Sequence, residues 1–328
     1  IYLMNSYKII KYTSEHYQMW NNFVANAKNA TFLFHRDFME YHAERFEDFS
    51  LLIFDEKEVL KAILPANIVE NKVYSHQGLT YGGLILNEKT KLQEVIEITF
   101  NLLHFLNENG ISTLNLKQLP SFYAKFPSEE MEYLSFIINA KLVRRDSLSV
   151  LDLKTNYNFS KDRKQAINRG VKNELIVKEE SSFELFWNEI LIPNLKQKHQ
   201  AKPVHTIDEI SFLKSKFPNN IRQFNVYKED KIVAGTTMFI YDNVAKPQYI
   251  SGNSDKNELG SLDFLYDFLI KEFKHKLYFD FGPSNEENGR KIKEGILFWK
   301  ESFGARTMVQ SFYEIETKNY SLLENILL

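Results

Sequence analysis

FDEKEVLKAILP (Phe54–Pro65) and YKEDKIVAGTTM (Tyr227–Met238) share one plan. Each is an apolar run, a turn crowded with Glu, Asp and Lys, and a second apolar run, the pattern of a β-hairpin. The elements downstream of the two hairpins also match. After Phe54–Pro65 come a strand from Lys72 to His76 that ends in glycine-broken sequence (Gly78, Gly82, Gly83), an amphipathic helix over Thr90–Asn109 stopped by Gly110, a strand at Thr113–Leu116, a helix at Glu129–Asn139 and a long strand at Lys141–Leu153. After Tyr227–Met238 come a strand at Gln248–Gly252, a helix over Leu259–His275, a strand at Leu277–Asp280, a helix at Lys291–Phe303 and a strand at Thr307–Ile315. Identity between the halves is low, so the repeat is one of architecture.

Each hairpin also has lead-in elements. Tyr7–Tyr12 alternates as a strand, and Ser14–Lys28 spaces Tyr17, Trp20, Phe23, Val24 and Ala27 as a helix with Ser14 as N-cap. In the second half Phe183–Leu195 reads as a helix. The expected fold class is α+β, with domains at 1–155 and 156–328. At about 150 residues per domain, 328 residues agree with two.

Composition narrows the function. Hydrophobic residues at 44% and charged residues at 26% describe a globular chain, and a net charge of −2 argues against a nucleic-acid-binding surface as a whole. With no cysteine there is no disulfide, no thiolate nucleophile and no Cys-ligated zinc, which fits a reducing cytoplasm. Eight scattered histidines suggest no metal site. No apolar run reaches the ~18–20 residues that span a bilayer. No basic segment leads into a long apolar core, so no signal peptide is expected, and Met4 is the expected natural start. The sequences G-x-x-x-x-G-K-[ST], G-x-G-x-x-G, H-E-x-x-H and G-x-S-x-G are absent, which disfavours NTPases, dinucleotide oxidoreductases, zincins and α/β-hydrolases.

The element order resembles the GNAT acyltransferase fold, and two such units in one chain resemble the Fem family of aminoacyl and peptidyl transferases of cell-wall synthesis. The stretch KDRKQAINRGVKNELIV (Lys161–Val177) is similar to the basic helix of Fem-type proteins that ends at Gly and enters a strand. FHRDFMEYHAERFEDFS (Phe34–Ser50), YSHQGLTYGGLI (Tyr74–Ile85), LIPNLKQKHQAKPVHTIDEI (Leu191–Ile210) and FDFGPSNEENGRKIKEGILFWKESFGA (Phe279–Ala305) resemble segments of Fem-like proteins associated with polysaccharide clusters. The resemblance implies two tandem GNAT-like domains, the first an acceptor or support domain and the second the donor site. It implies an acyl donor, acyl-CoA such as acetyl-CoA or else aminoacyl-tRNA, whose arm lies between splayed strands Gln248–Gly252 and Leu277–Asp280. It also implies Gly260 and Ser261 as the contact for a donor pyrophosphate at a helix start. The usual paired glycines are missing there. The acceptor would be the amine of a nucleotide- or lipid-linked amino sugar, or of a peptidoglycan or polysaccharide precursor.

Direct transfer to an amine needs a proton acceptor. The candidates are His205, Asp280 acting through water, and Glu286. His205 lies beside Thr206 and Glu209, which already explain each other as a capping box. Substrate contacts are expected from Lys198, His199, Asn253, Ser284 and Asn288, whose alternative is plain turn and cap chemistry. His42 and Arg45, with Phe38 and Tyr41 at helical spacing, form a candidate ligand face. His76 and Tyr81 flank the glycine-rich turn. Arg163 and Arg169 belong to a basic run that is either a solvated face or a phosphate or tRNA contact at the join of the halves. A competing class is a non-catalytic GNAT-fold module that binds a glycan or a partner.

Overall fold

The computed structural model describes residues 5–327; the expected start at Met4 lies outside them. The side chains of Lys198 and His199 are also outside the described residues. The chain divides into two compact units. Unit 1 comprises residues 1–146, 287–290 and 309–328; unit 2 comprises 147–286 and 291–308.

In chain order the first half runs β1 (Lys8–Lys11), α1 (Tyr17–Asn26), α2 (Arg36–Glu40), β2 (Glu47–Asp48), β3 (Leu51–Phe54), β4 (Leu60–Leu64), β5 (Asn67–Val69), β6 (Lys72–Tyr74), β7 (Ile85–Leu86), α3 (Leu92–Glu108), β8 (Thr113–Lys117), α4 (Glu130–Ile137) and β9 (Lys141–Asp152). The second runs α5 (Lys161–Lys172), β10 (Ile176–Glu180), α6 (Glu184–Phe186), α7 (Ile192–His199), α8 (Ile207–Lys216), β11 (Ile221–Lys228), β12 (Lys231–Ile240), β13 (Val244–Gly252), α9 (Lys256–Leu259), α10 (Ser261–Glu272), β14 (Tyr278–Pro283), β15 (Asn285–Glu286), β16 (Lys291–Ile292), α11 (Glu294–Glu301) and β17 (Arg306–Glu316).

In unit 1, β1, β3, β4 and β7 make an antiparallel sheet. A second sheet carries β6 parallel to β8, with Val73 opposite Leu114, and pairs Phe312–Glu316 of β17 antiparallel to β8. Helix α3 crosses between the parallel strands and buries Val95, Ile98, Leu102 and Leu106 in a core with Leu51, Leu64, Leu114 and Ile315. Its apolar residues at i, i+3 and i+4 dictate that face. Gly110 follows its end at φ +75, a left-handed conformation that suits glycine.

Unit 2 repeats the element order, but its hairpin and its parallel strands lie in one sheet. β11 and β12 form the charged-turn hairpin, β13 pairs antiparallel to β12, and α10 crosses to β14, which is parallel to β13. Residues Leu148–Asp152 of β9 complete the sheet against β14. Each unit thus takes into its sheet the last strand of the other half of the sequence, so the division falls at 146/147 and returns Val309–Leu328 to unit 1, where a single boundary at 155/156 was expected. Hydrophobic pattern marks a strand but not the unit it joins.

Several local expectations need correction. Thr13, not Ser14, opens the first helical turn, and a 3-10 turn at Ser14–His16 precedes α1. Helix α2 stops at Glu40, so Phe38, Tyr41, His42 and Arg45 share no helical face. A second 3-10 turn, Ala43–Arg45, redirects the chain: His42 is buried and Arg45 exposed. The segment expected as one helix over Phe183–Leu195 is interrupted by a π-turn at Trp187–Leu191 before α7. Pro193 comes just after it and has no N–H to give to a regular ladder.

Candidate functional site

The site grows from the divergence of β13 and β14 in unit 2. These parallel strands pair only at Val244–Tyr278 and Ala245–Phe279. Just beyond, Lys246 Nζ bridges to Asp280 Oδ2 at 2.8 Å, both groups buried. Asp280 Oδ1 also accepts from the Gly282 amide at 2.7 Å. Further along, β13 bulges: Thr237 of β12 faces Tyr249 while Met238 faces Pro247, leaving Gln248 as the extra residue. Pro247 cannot donate to the ladder, so the bulge sits where the sequence permits it. A bulge re-aims side chains, and here it accompanies Tyr249.

Tyr249 meets two residues from outside the sheet. Its ring lies edge-on to Trp187, centroids 4.9 Å apart, and its oxygen is 2.5 Å from His205 Nδ1. The His205 amide donates to the same oxygen at 3.3 Å. Burial pushes the Tyr249 phenol up to about 12, so it stays protonated across neutral pH. His205 is itself buried. Its position is set by the capping box that starts α8: Thr206 Oγ1 accepts from the Glu209 amide at 3.1 Å, and Glu209 Oε2 from the Thr206 amide at 2.8 Å.

Trp187 is fixed from the sheet side. Its Nε1 donates to Thr237 Oγ1 at 3.2 Å. Thr237 Oγ1 donates to Gln223 Oε1 at 2.7 Å, and Gln223 Nε2 to Asn225 Oδ1 at 2.8 Å. These are buried polar groups that satisfy one another, so the indole is held without strain. Trp187 and His205 line a cleft of about 810 Å³, with Ile192, Pro203, Thr206 and Ile207 among its walls. That is the size of a small-molecule site.

Two buried lysines flank the strand divergence. Besides Lys246, Lys300 Nζ donates to the carbonyls of Gly282 at 2.9 Å and Pro283 at 2.8 Å. Burial, with Lys246 nearby, lowers Lys300 to about 8, against the opposing pull of Asp280. Ser284 is buried beside Pro283, and its hydroxyl has no hydrogen-bond partner among the described residues.

The other expected residues fall elsewhere. Glu286 is exposed and pairs with Lys293 at 2.6 Å. Asn288 is exposed at φ +54, a turn conformation. Asn253 donates its amide to Val233 O and accepts from the Asp255 amide, which makes it a turn residue before α9. Gly260 has the left-handed φ of +68, and a Cβ there would collide with the carbonyl oxygen of Ala166. Gly260 and Ser261 therefore lie buried under α5 and are not an open anion seat. Gly170 packs against Phe264 in the same closure. Arg163 is turned inward to Asp263, which also accepts from Trp299 Nε1, so it ties α5 to α10 instead of facing a phosphate. Arg169 is exposed on α5. Lys198 and His199 close α7, with side chains outside the described residues.

In unit 1, His42 and His76 are buried, ring centroids 5.4 Å apart, with Phe46 against both. Gly78 is forced at the contact, because a Cβ would enter the His42 ring. Tyr81 is buried between Phe34 and Tyr123. These residues make a packed interior. Sequence reading missed Trp187, Tyr249, Lys246 and Lys300. Pro193 and Pro247, each placed where regular hydrogen bonding must break, were the available signals for the first two.

Solved structures with this fold are known. FemX matches with a TM-score of 0.65 at 8% identity, over 97% of this chain and 99% of that one. The C-terminal DUF2156 domain of a putative lysylphosphatidylglycerol synthetase from Agrobacterium fabrum matches at 0.58 and 12%, over 94% of each chain. L-PGS from Bacillus licheniformis matches at 0.57 and 11%, over 95% and 96%. No family model matches the chain and no curated protein matches it. The likeness is one of fold: the chain is α+β and shares the Fem-like fold expected from its element order.

Proposed function

We propose that the chain is a transferase that moves an acyl or aminoacyl group directly onto an amine, in the unit 2 cleft. The observation that carries this is His205, which lines a cleft of about 810 Å³ and is held at its Nδ1 by Tyr249 of β13. The fold shared with FemX and L-PGS supports the reaction class. The acceptor is the amine of an amino sugar or a cell-envelope polysaccharide or peptidoglycan precursor.

In this mechanism His205 Nδ1–H donates to the Tyr249 oxygen, which leaves the Nε2 lone pair as the proton acceptor. The phenol stays neutral and fixes the ring. The acceptor amine attacks the donor carbonyl as its proton passes to Nε2, and collapse of the tetrahedral intermediate breaks the bond to the donor's leaving group, which takes that proton from Nε2 and restores the neutral imidazole. No covalent enzyme intermediate is needed, in keeping with the absence of cysteine. The covered start of α10 and the Lys246–Asp280 bridge favour a donor that does not rest a pyrophosphate on Gly260 and Ser261. Between the two donors expected, this favours an aminoacyl ester such as aminoacyl-tRNA over acyl-CoA.

The test is incubation of the purified chain with acetyl-CoA or with aminoacyl-tRNA, and a panel of nucleotide- and lipid-linked amino sugars, read by mass spectrometry. A product heavier by the acyl or aminoacyl group is expected. Binding of panel members with no product from any donor would instead establish the non-catalytic module.

A further inference from the structure

The unit 2 cleft also constrains the group that is transferred. Trp187 and His205 both contact Tyr249 and both line the cleft, so the indole lies next to the proton acceptor. Trp187 is buried, and Ile192 and Ile207, which share the lining with it, are half-buried. A donor whose carbonyl reaches His205 therefore lays its acyl chain, or its amino-acid side chain, along apolar walls. Size is the first constraint. A cleft of about 810 Å³ holds a whole small molecule, and an acetyl or alanyl group would leave most of it unfilled. A loosely held group forfeits the orientation that direct transfer depends on. Charge is the second. The charged lining residues are Lys196 and Lys202, and no carboxylate is among the described residues that line the cleft. An ammonium at the end of the transferred chain would meet two like charges and no counter-ion there.

We propose that the cleft selects a donor whose transferred group carries a long, uncharged apolar chain, seated on Trp187, Ile192 and Ile207. This deepens the transferase reading and rests on it. It makes these three residues the specificity determinants for the donor, with Lys196 and Lys202 turning away cationic side chains. Each methylene buried on the walls favours the longer chain by roughly fourfold. A lysyl group would need a carboxylate in the wall, and the wall offers apolar carbon in its place.

The test compares alanyl, norleucyl and lysyl groups on one and the same tRNA, with acetyl, hexanoyl and ω-aminohexanoyl as the matching set on coenzyme A. Norleucyl and lysyl share one chain length, so that pair isolates charge; alanyl against norleucyl isolates size. With the full chain and the acceptor that supports turnover, kcat/KM is expected to be at least about tenfold higher for norleucyl than for either of the others. In Ile207→Asp the norleucyl-to-lysyl ratio should fall by about tenfold or more, because a carboxylate then stands in the wall. An Asp in the first turn of α8 suits the helix dipole, so this variant keeps its fold, and an unaltered circular dichroism spectrum checks it. Transfer at equal rates from all three, or a preference for alanyl or lysyl, would overturn the proposal and leave the transferase reading standing. If no donor turns over, calorimetry with alaninamide, norleucinamide and lysinamide reads the same comparison as binding. Tighter binding of norleucinamide would then sink the transferase reading and leave the selectivity of the cleft standing, and equal binding would end both.

Discussion

The Tyr249 oxygen lies 2.5 Å from His205 Nδ1, and it also receives the His205 backbone amide. One phenol therefore fixes both the ring and the loop that carries it. Removing the hydroxyl leaves the imidazole in the cleft without its orienting partner. In Tyr249→Phe we expect kcat to fall by about 10- to 100-fold with a smaller change in KM, since a positioning group acts on the reacting geometry. A pH–rate profile should show a displaced acid limb. An unchanged profile and an unchanged kcat would remove Tyr249 from the mechanism.

Asp280 faces Lys246 in a buried ion pair, with Lys300 close enough to be lowered by Lys246. Asp280→Ala leaves two cations without their carboxylate. Breaking such a pair from one side costs about 3–5 kcal/mol. Urea unfolding followed by tryptophan fluorescence should show a loss of this size. A double variant, D280A/K246A, should recover part of it because the uncompensated charge is gone.

Gly260 serves packing rather than phosphate binding. Gly260→Ala adds a Cβ at φ +68 that meets the Ala166 carbonyl. The left-handed backbone alone costs about 1–3 kcal/mol. A lowered unfolding midpoint is expected, with little effect on transfer measured well below it. Loss of transfer with stability intact would return Gly260 to the donor site.

His76 is buried and held at about 3, chiefly by desolvation and then by the neighbouring His42. Its unfolded pKa is near 6.5. Between these values the unfolded chain binds the extra proton, so stability declines as pH falls from about 6.5 toward 3, by up to ~1.4 kcal/mol per pH unit. His76→Asn tolerates the left-handed φ of 63 and removes the titration. Unfolding midpoints between pH 7 and 4 should slope less in this variant. Parallel slopes would assign the acid sensitivity to other groups.

The architecture was largely legible from two hairpins and the helices after them, because strand and helix periodicities are local properties of sequence. The basic helix at Lys161–Lys172 and the Thr206–Glu209 box also formed as expected. Strand partners were not legible: β9 and β17 are long strands whose pattern says nothing of which strands they pair with. The site was legible only in part. His205 could be singled out because its neighbours' capping left it unexplained, and Asp280 because the strand expected at Leu277–Asp280 ended on it, although β14 runs on to Pro283. Tyr249 and Trp187 went unnoticed, since the bulge beside the one and the π-turn that opens at the other leave no periodic mark in the sequence. Arg163 and Gly260 looked like ligands because an inward ion pair and a tight helix contact use the same residue types as a phosphate site.

The central claim is that His205 accepts the proton of an attacking amine in unit 2. Its most direct test compares initial rates of N-acylated product, by mass spectrometry, for the wild-type chain and His205→Gln with the donor that supports turnover. General-base removal predicts a fall of about 10²- to 10⁴-fold in kcat with the fold intact by circular dichroism. A variant that turns over at the wild-type rate would contradict the account.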